Sequence, residues 1–437
     1  VSAAANSDAV DLPIGTEATA GTASIRTAAL SVSGSAAAAN LAVDADLAEL
    51  RLPQGRFGDV ALSAKSASFD LLNRQGPATA ELTIQRAEIL DPQLSPYVKA
   101  PMAAVADLVI AETIEIKSLT LASRGLDAAI DGTFDPATLA FSGTVAASAE
   151  SALLPPGLRE KLSGPVSASA RIYFTAPQAV SIRELALQSS LGTAQGALAI
   201  DPQGAISANL TGRLNDVGSF IDNAEGAAAF DLSGSGPPEA LQVDVTAVIE
   251  QGTAAGYPVE DLSLKFSGLA NPEAPSGLLT VMGQLDGKPV NADARLASAN
   301  GQTTIDGLSL EIGPNRLTGA LALDDGFKPE GKLDFNFPDL SLLTALAGQN
   351  ISGDLTGSIA LDNAGGTISG TVEARGASLK RDDLTIENPV VDLKINDLSA
   401  LSAEGAIRAD TAIQGTNRLE NAALTLQSLA GKTQFDL

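Results

Sequence analysis

Alternation of apolar and polar residues with a period of two runs through most of this chain, and it constrains the fold more than any other feature. In LSLEI, which begins at Leu308, every second residue is apolar, and two further alternating segments follow after Gly-Pro-Asn and Asp-Asp-Gly turns. Because successive side chains of a strand point to opposite faces, each such strand has one apolar face. Consecutive strands joined by short turns usually pair side by side. The sequence therefore predicts an all-β fold, an elongated, repetitive and curled sheet with an apolar interior.

The period changes at a few short segments, which predict short helices. Asp339 can cap a helix that has leucine at every third position and ends at Gly348. The segment LNDVGSFID, from Leu214, resembles that stretch, and LLPPGLREKLSG, from Leu153, predicts another short helix with proline near its start.

The chain also repeats itself with a period of about 123 residues. VSIRELALQSSLGTAQGALAID, from Val180, aligns with TTIDGLSLEIGPNRLTGALALD, from Thr303, so that 180–302 and 303–425 are two copies. The repeats are clear over 151–437 and weaker, with more alanine, over 1–150. No long polar linker separates them, which favours one elongated β-repeat array over 1–437. The chain begins without methionine and ends within a strand pattern, so we expect it to be a piece of a longer protein.

Composition excludes several classes of function. There are 27 Lys and Arg residues against 52 Asp and Glu residues, a net charge of −25, so a nucleic acid is not an expected partner. The chain has no His and no Cys, which removes the common triads, thiol nucleophiles and zinc sites. We expect no enzymatic activity, no metal and no cofactor. No apolar run approaches the roughly twenty residues of a membrane-spanning helix.

The apolar face of the predicted sheet has two interpretations. The strands can cover one another in a closed, dry core, as in a structural β-solenoid or an adhesin-like stalk without a ligand. They can instead form a trough filled by hydrocarbon chains, which need no hydrogen bonds and gain roughly 0.8 kcal/mol per buried CH₂. Periodicity does not separate these alternatives.

Several motifs occur in an order that resembles a known family. They are PVEDLSLKFSG, LDGKPVNADARL, IDGLSLEIGPNRLTGALALD, KLDFNFPDLSLLTALAG and LTGSIALDNAGGTISGTVEARGASL. Their combination resembles the repeats of the TamB family, the large subunit of the translocation and assembly module, in the AsmA-like superfamily of bridge-like lipid transfer proteins of Gram-negative bacteria. The resemblance covers about Leu153 to Leu398 and, more weakly, Val1 to Glu150.

The resemblance implies a curled sheet, taco-like in section, and a role in the periplasm. Such proteins bridge the inner and outer membranes, conduct phospholipids along a hydrophobic groove and support outer-membrane protein assembly. The parent protein would be held in the inner membrane by an anchor absent here and would meet a BamA-like outer-membrane barrel, TamA. The expected ligands of this segment are phospholipid acyl chains.

Strand parity assigns the residues that would line such a groove. These candidate lining residues are Leu185, Leu187, Leu198, Ile200, Leu210, Leu308, Leu310, Ile312, Leu321, Leu323, Leu333, Phe335, Phe337, Leu384, Ile386, Leu393 and Ile395.

Overall fold

A computed structural model of the chain describes residues 2–14, 21–53, 55–90, 95, 99–175, 179–271, 274–299, 301–324, 326, 328–346, 349–363, 366–400, 402–429 and 432–436. Strands make up 74% of it and helices 5%, so the predicted all-β fold with a few short helices is confirmed. The chain forms two compact units, Val1–Gly212 and Arg213–Leu437.

The first unit is an antiparallel sheet in which the strands β1 to β12 pair in chain order, each with the next. The strands are β1 (Ser2–Ile14), β2 (Gly21–Ser35), β3 (Ala38–Leu52), β4 (Gly55–Phe69), β5 (Gly76–Ile89), β6 (Met102–Ile110), β7 (Ile114–Ser123), β8 (Leu126–Asp135), β9 (Ala140–Ala149), β10 (Val166–Thr175), β11 (Ala179–Ser189), β12 (Gly192–Ile200) and β13 (Ile206–Leu214). The last two residues of β13 belong to the second unit. Between β9 and β10 lie a 3₁₀ turn, Ser151–Leu153, and the one-turn helix α1 (Pro156–Arg159).

The second unit is also an antiparallel sheet, and among its described strands no pairing closes the sheet on itself. Its remaining strands are β14 (Ala224–Gly226), β15 (Ala228–Gly236), β16 (Gln242–Ala254), β17 (Tyr257–Leu269), β18 (Ser276–Leu285), β19 (Lys288–Ala299), β20 (Gln302–Ile312), β21 (Asn315–Leu323), β22 (Pro329–Phe337), β23 (Ser352–Gly353), β24 (Leu355–Asp362), β25 (Ser369–Arg375), β26 (Ser378–Arg381), β27 (Leu384–Glu387), β28 (Val390–Asp397), β29 (Ser402–Gln414), β30 (Asn417–Leu429) and β31 (Lys432–Asp436). Its helical elements are the 3₁₀ turns Val217–Ser219 and Pro238–Ala240 and the helix α2 (Ser341–Leu346).

The predicted helix after Asp339 is confirmed as α2, while its predicted end at Gly348 lies outside the described residues. The segment LNDVGSFID forms only the 3₁₀ turn Val217–Ser219, in which the Asp216 carboxylate accepts the backbone N–H of Gly218 at 3.0 Å. The segment from Leu153 forms the end of one 3₁₀ turn and then α1, which has Pro156 at its start.

Strand boundaries recur at the same spacing as the sequence repeat. The strands β20, β21 and β22 begin and end 123 residues after β11, β12 and β13, as from Ala179 to Gln302. The repeat extends to backbone conformation, because Glu184 and Gly307, also 123 apart, have left-handed φ values of 52° and 60°. A bulge at this point in each copy explains why the apolar spacing there is three residues rather than two.

The best-buried part of the second unit lies at one end of four neighbouring strands. Val259, Leu285, Val290 and Ile312, from β17 to β20, pack against Leu342 of α2, which is only 3% exposed. The helix α2 therefore closes this end of the sheet face. We call this end, with the turns between β18 and β19 and between β20 and β21, the helix rim.

Candidate functional site

Cross-strand register in the second unit places apolar residues opposite one another from strand to strand. Residues directly opposite in an antiparallel pair project to the same face of the sheet. A first row runs without interruption from β15 to β30 and contains only aliphatic, aromatic or glycine residues. It consists of Phe230, Ala247, Leu264, Val281, Ala292, Leu310, Leu317, Phe335, Gly357, Ala374, Val391, Ile407 and Leu424.

Two further rows run parallel to the first. The second row is Leu232, Val245, Phe266, Leu279 and Ala294, then, past the bulge in β20, Leu308, Gly319, Leu333, Ile359, Val372, Leu393, Gly405 and Leu426. The third row is Gly234, Val243, Gly268, Gly277, Leu296, Ile305, Leu321, Gly331, Leu361, Gly370, Ile395 and Ala403. Together the three rows form what we call the apolar face.

The other side of the same strands is mainly polar, although it also carries the exposed side chains of Leu278, Met282 and Val390. The row of residues between the first and second apolar rows is Asp231, Thr246, Lys265, Thr280, Asp293, Ser309, Thr318, Asp334, Ser358, Glu373, Asp392, Ala406 and Thr425. Its single apolar member is alanine. We call this side the polar face, and it suits contact with water.

The apolar face is accessible rather than sealed. Of its members, Gly234, Ala294, Phe335 and Ala374 are buried, Leu264 is exposed and all the others are half-buried. A layer packed on the face would leave such side chains almost wholly buried, as in a protein core. In the described part of the unit, the only α-helix is α2, and it covers only the helix rim. Outside the helix rim, the described residues therefore leave the apolar face only partly covered.

Glycines on the apolar face allow neighbouring strands to approach closely. A Cβ atom on Gly319 would lie 2.2 Å from the carbonyl oxygen of Lys332, and one on Gly331 would lie 2.3 Å from that of Ala320. The repeat partner of Gly319, Gly196, has the same constraint. Glycine at such positions marks close backbone approach and sharp bending of a sheet.

The first unit has a comparable face, in which alanine is more frequent than in the second unit. One row is Leu30, Val43, Ala64, Ala80, Ala106, Leu119, Ile130, Val145 and Ala170. The neighbouring row is Ala28, Ala45, Leu62, Leu82, Ala104, Leu121, Ala128, Ala147, Ala168, Leu187 and Ala194.

Many of the candidate lining residues fall in these rows. The candidates within the rows of the second unit are Leu308, Leu310, Leu321, Leu333, Phe335, Leu393 and Ile395. Ile312 and Phe337 lie beyond the first row, two residues nearer the helix rim than Leu310 and Phe335. Ile312 also belongs to the buried cluster. Leu323 lies at the other end, opposite Pro329.

The candidates of the first repeat copy lie on β11 to β13. Leu185 lies opposite Gly196, Leu187 opposite Ala194 and Leu198 opposite Ile182, and all three leucines are half-buried. Leu210 is half-buried on β13, and a Cβ atom on Gly196 would lie 2.9 Å from its Cα. Ile200, at the end of β12, is 41% exposed.

Two candidates, Leu384 and Ile386, lie outside the three rows. They belong to β27, which pairs with β26 and β29 and is separated from β28 by Asn388, a residue with φ of 49°. Strand parity cannot be carried across a left-handed residue, because that conformation changes the direction of the following side chains.

An ion pair holds the helix rim together. The Lys288 ammonium lies 2.8 Å from the Asp339 carboxylate, which also accepts the backbone N–H of Ser341 at 3.1 Å. The backbone N–H of Asp339 donates to the side-chain oxygen of Asn315 at 3.0 Å, and Asn315 is 2% exposed. Hydrogen bonds from Lys288 and then Ser341 lower the pKa of the Asp339 carboxyl from 3.8 to about 2. Sequence reasoning identified the capping role of Asp339 but not its partner 51 residues away.

The opposite end of the apolar face is formed by the turns that follow β15, β17, β19, β21, β24 and β28, and we call it the open rim. The turn and strand-end residues after these six strands include the carboxylates of Glu239, Asp324, Asp362 and Asp397 and the ammonium of Lys328. The Lys328 ammonium donates to the carbonyl oxygen of Gly366. The open rim is therefore acidic.

The polar sides of the two sheets contain shallow concavities that sequence reasoning missed. In the first unit, a cavity of about 550 Å³ is lined by residues that include Asp44, Asp46 and Glu81. In the second unit, a cavity of about 440 Å³ includes Asp306 and Glu330 in its lining. Carboxylates at every second residue of adjacent strands are the signal that could have located them. Across the described ranges, no group of three or more acidic side chains is arranged to hold a metal ion.

No described helix has the length and apolar character needed to cross a membrane. Neither the family models nor the curated proteins contain a match to this chain. Its function is therefore inferred from the geometry and chemistry of the two faces of its sheets.

Proposed function

We propose that this chain is a periplasmic segment of a bridge that conducts phospholipids between the inner and outer membranes and so supports outer-membrane biogenesis. The observation that carries the proposal is the set of three continuous apolar rows, half-buried on one side of the sheet. An accessible apolar surface of this extent on an acidic protein is typical of a binding surface.

The chemistry of the rows suits acyl chains. No member of the rows carries a charge or a hydrogen-bonding side chain, so a hydrocarbon chain meets no polar group that it would leave unsatisfied. Strands lie about 4.8 Å apart, so a chain that leaves one strand reaches the next without crossing water. Each CH₂ transferred from water gains roughly 0.8 kcal/mol wherever it lies along the rows. An acyl chain can therefore move along the rows passively, with little change in free energy from one strand to the next.

The residues proposed to contact acyl chains are the half-buried members of the rows around β20 to β22. Leu308, Leu321 and Leu333 are central to this patch, and the stacked rings of Phe335 and Phe337, 5.0 Å apart, border it towards the helix rim. The polar face, with acidic residues such as Asp334, would remain in water.

The partners in this proposal come from the resemblance to the TamB family rather than from the geometry. They are the inner membrane at one end of the bridge and a BamA-like outer-membrane barrel at the other. The net charge of −25 favours neutral acyl chains over anionic surfaces as the part of the membrane in contact with this segment.

A structural stalk with a closed, dry core is the alternative function. The specific observation in its favour is the cluster around Leu342, where part of the face is sealed by α2. In that case, the rest of the face would be covered by protein in the parent, and no lipid would be bound.

Photocrosslinking distinguishes the two functions. A benzophenone amino acid is placed at Leu333 on the apolar face or at Asp334, the adjacent residue on the polar face, and the chain is purified from a Gram-negative host without detergent. We expect lipid adducts at position 333 and not at 334, together with several phospholipids per chain after solvent extraction. A folded protein without adducts at either position and without extracted lipid would support the stalk.

A further inference from the structure

We infer that the polar side of the first unit binds a sugar that carries a phosphate or carboxylate group, at a site formed by Arg171, Arg183 and Tyr173. The inference goes beyond the proposed function and does not depend on it, because the site lies on the side of the sheet away from the apolar rows. A lipid whose acyl chains lie on those rows cannot present its headgroup here, since the sheet stands between them.

Two arginines lie directly opposite one another on neighbouring strands of the first unit. Arg171 of β10 pairs with Arg183 of β11. Their chain neighbours Ala170 and Ile182 are apolar and half-buried or buried, so the two arginines project to the other side of the sheet. Cβ atoms in such a pair are about 5 Å apart, and like charges at this distance destabilise a sheet. This arginine pair therefore favours an anion that both guanidinium groups can bind.

A bulge in β11 creates this arrangement. Glu184 has φ of 52°, and the register shifts so that Glu184 and Leu185 together stand opposite Ala170. The Glu184 carboxylate lies 3.7 Å from Arg171, but its side chain is 69% exposed, so solvent screens the pair. Among the residues that the structure describes, no carboxylate oxygen lies within 4.0 Å of the Arg183 guanidinium. The arginine pair thus has one weakly held acid for two cations.

The second repeat copy shows how the same structural position is balanced elsewhere in the chain. The corresponding bulge in β20 places Asp306 directly opposite Arg295. Asp306 follows Arg183 by 123 residues, the period of the repeat. The cross-strand pair of the second copy is therefore an arginine with an acid, whereas that of the first copy is two arginines. An oxyanion of a ligand can supply the negative charge that the first copy lacks.

Tyr173 holds the Arg183 side chain in position. The guanidinium carbon of Arg183 lies 5.3 Å from the centroid of the Tyr173 ring, which is a cation–π contact. Tyr173 pairs with Ser181, while in the second copy Ala297 pairs with Thr304 at the equivalent place. The ring is thus found only in the copy that has the arginine pair. Fixing the guanidinium before binding reduces the entropy that a ligand must overcome.

Hydroxyl groups extend the site across the sheet. Register places four hydroxyl side chains directly opposite one another on β8 to β11, namely Thr133, Ser142, Tyr173 and Ser181. With strands about 4.8 Å apart, this row is about 14 Å long. Hydroxyls donate and accept hydrogen bonds, as the hydroxyls of a sugar require. Guanidinium groups bind phosphate and carboxylate through paired hydrogen bonds. A sugar phosphate or a uronate combines both features.

The test measures binding of soluble ligands to the intact chain by isothermal titration calorimetry at low ionic strength. The ligands are glucose-6-phosphate, glucuronate, glucose and inorganic phosphate. Arg183→Asp recreates the arginine–aspartate pair of the second copy, and Tyr173→Ala recreates its missing ring. The control Arg408→Asp makes the same change in net charge as Arg183→Asp at an exposed position of the second unit. Circular dichroism verifies that each variant is folded.

We expect glucose-6-phosphate and glucuronate to bind the wild type more tightly than glucose or inorganic phosphate. Arg183→Asp should weaken both by about tenfold or more, the effect of one charge-assisted hydrogen bond. Tyr173→Ala should weaken both by about threefold through loss of the cation–π contact, and the control should bind like the wild type. Absence of binding, equal affinity for inorganic phosphate, or equal losses in Arg183→Asp and the control would overturn the inference.

Discussion

The Lys288 ammonium lies 2.8 Å from the Asp339 carboxylate and joins the first residue of β19 to the segment that leads into α2. The pair is separated by 51 residues in the chain. It lies beside the cluster that Leu342 seals, so the ion pair acts together with the Asp339–Asn315 hydrogen bond and the packing of Leu342 at the start of α2.

Removal of the Asp339 charge should make stability less dependent on acid pH. The folded pKa is lowered from 3.8 to about 2, so the carboxylate stabilises the fold fully above about pH 4 and loses this contribution as the pH falls towards 2. Because its side chain is 39% exposed, solvent screening reduces the contribution to about 1 kcal/mol. In urea unfolding near neutral pH, Asp339→Asn should be less stable than the wild type by this amount. Between pH 4 and 2, its free energy of unfolding should fall less than that of the wild type. Asp286→Asn, in an adjacent turn, is the control, and identical pH profiles for wild type and Asp339→Asn would contradict the prediction.

Truncation of Leu342 should open the helix rim. The side chain is 3% exposed, and Leu342→Ala should reduce the free energy of unfolding by about 3 kcal/mol through lost packing and a residual cavity. Leu278→Ala, at a leucine that is 47% exposed, should cost less than about 0.5 kcal/mol. Hydrogen exchange should become faster in β17 to β20 for the first variant only. Unchanged exchange there would mean that α2 does not stabilise this end of the sheet.

A charge on the apolar face should block lipid and leave the fold intact. Leu321 is half-buried in the third row, so Leu321→Asp should cost about 1 to 2 kcal/mol of unfolding free energy and abolish lipid binding. The adjacent Ala320→Asp, exposed on the polar face opposite Lys332, should bind lipid like the wild type. If Leu321→Asp unfolded the strands around β21 at a cost above about 4 kcal/mol, the face would be a closed core.

Replacement of Gly319 should disrupt the sheet more than replacement of a turn glycine. A Cβ at this position would lie 2.2 Å from the Lys332 carbonyl oxygen, so Gly319→Ala forces β21 and β22 apart and should cost at least about 2 kcal/mol. At Gly287, with φ of 69°, a Cβ atom would meet no neighbouring atom within 4 Å. Gly287→Ala should therefore cost about 1 kcal/mol for its left-handed backbone alone. Equal losses in thermal unfolding would show that the close approach at Gly319 relaxes easily.

Much of the fold could be predicted because it depends on local periodicity. The alternation around Leu308 and Leu321 identifies both strands and their apolar sides, and the observed pairing places these residues in neighbouring rows. Two candidate lining residues, Ile200 and Ile386, lie outside the continuous rows. Ile200 lies at a strand end, where few neighbours cover it, and Ile386 lies on a short strand between two left-handed residues, Asp382 and Asn388, which interrupt the simple alternation. Contact of any of these residues with lipid stays a prediction.

The sequence by itself determined that this protein forms antiparallel sheets with one apolar side, because side-chain direction alternates along every strand whatever its neighbours are. It also determined the recurrence at 123 residues, since equal local patterns give equal strands and bulges. Only the tertiary structure decided that the apolar rows join across strands, that Lys288 meets Asp339, and that one rim is sealed while the other is open and acidic. These properties depend on register and on contacts between distant segments, which are set by the packing of the whole sheet.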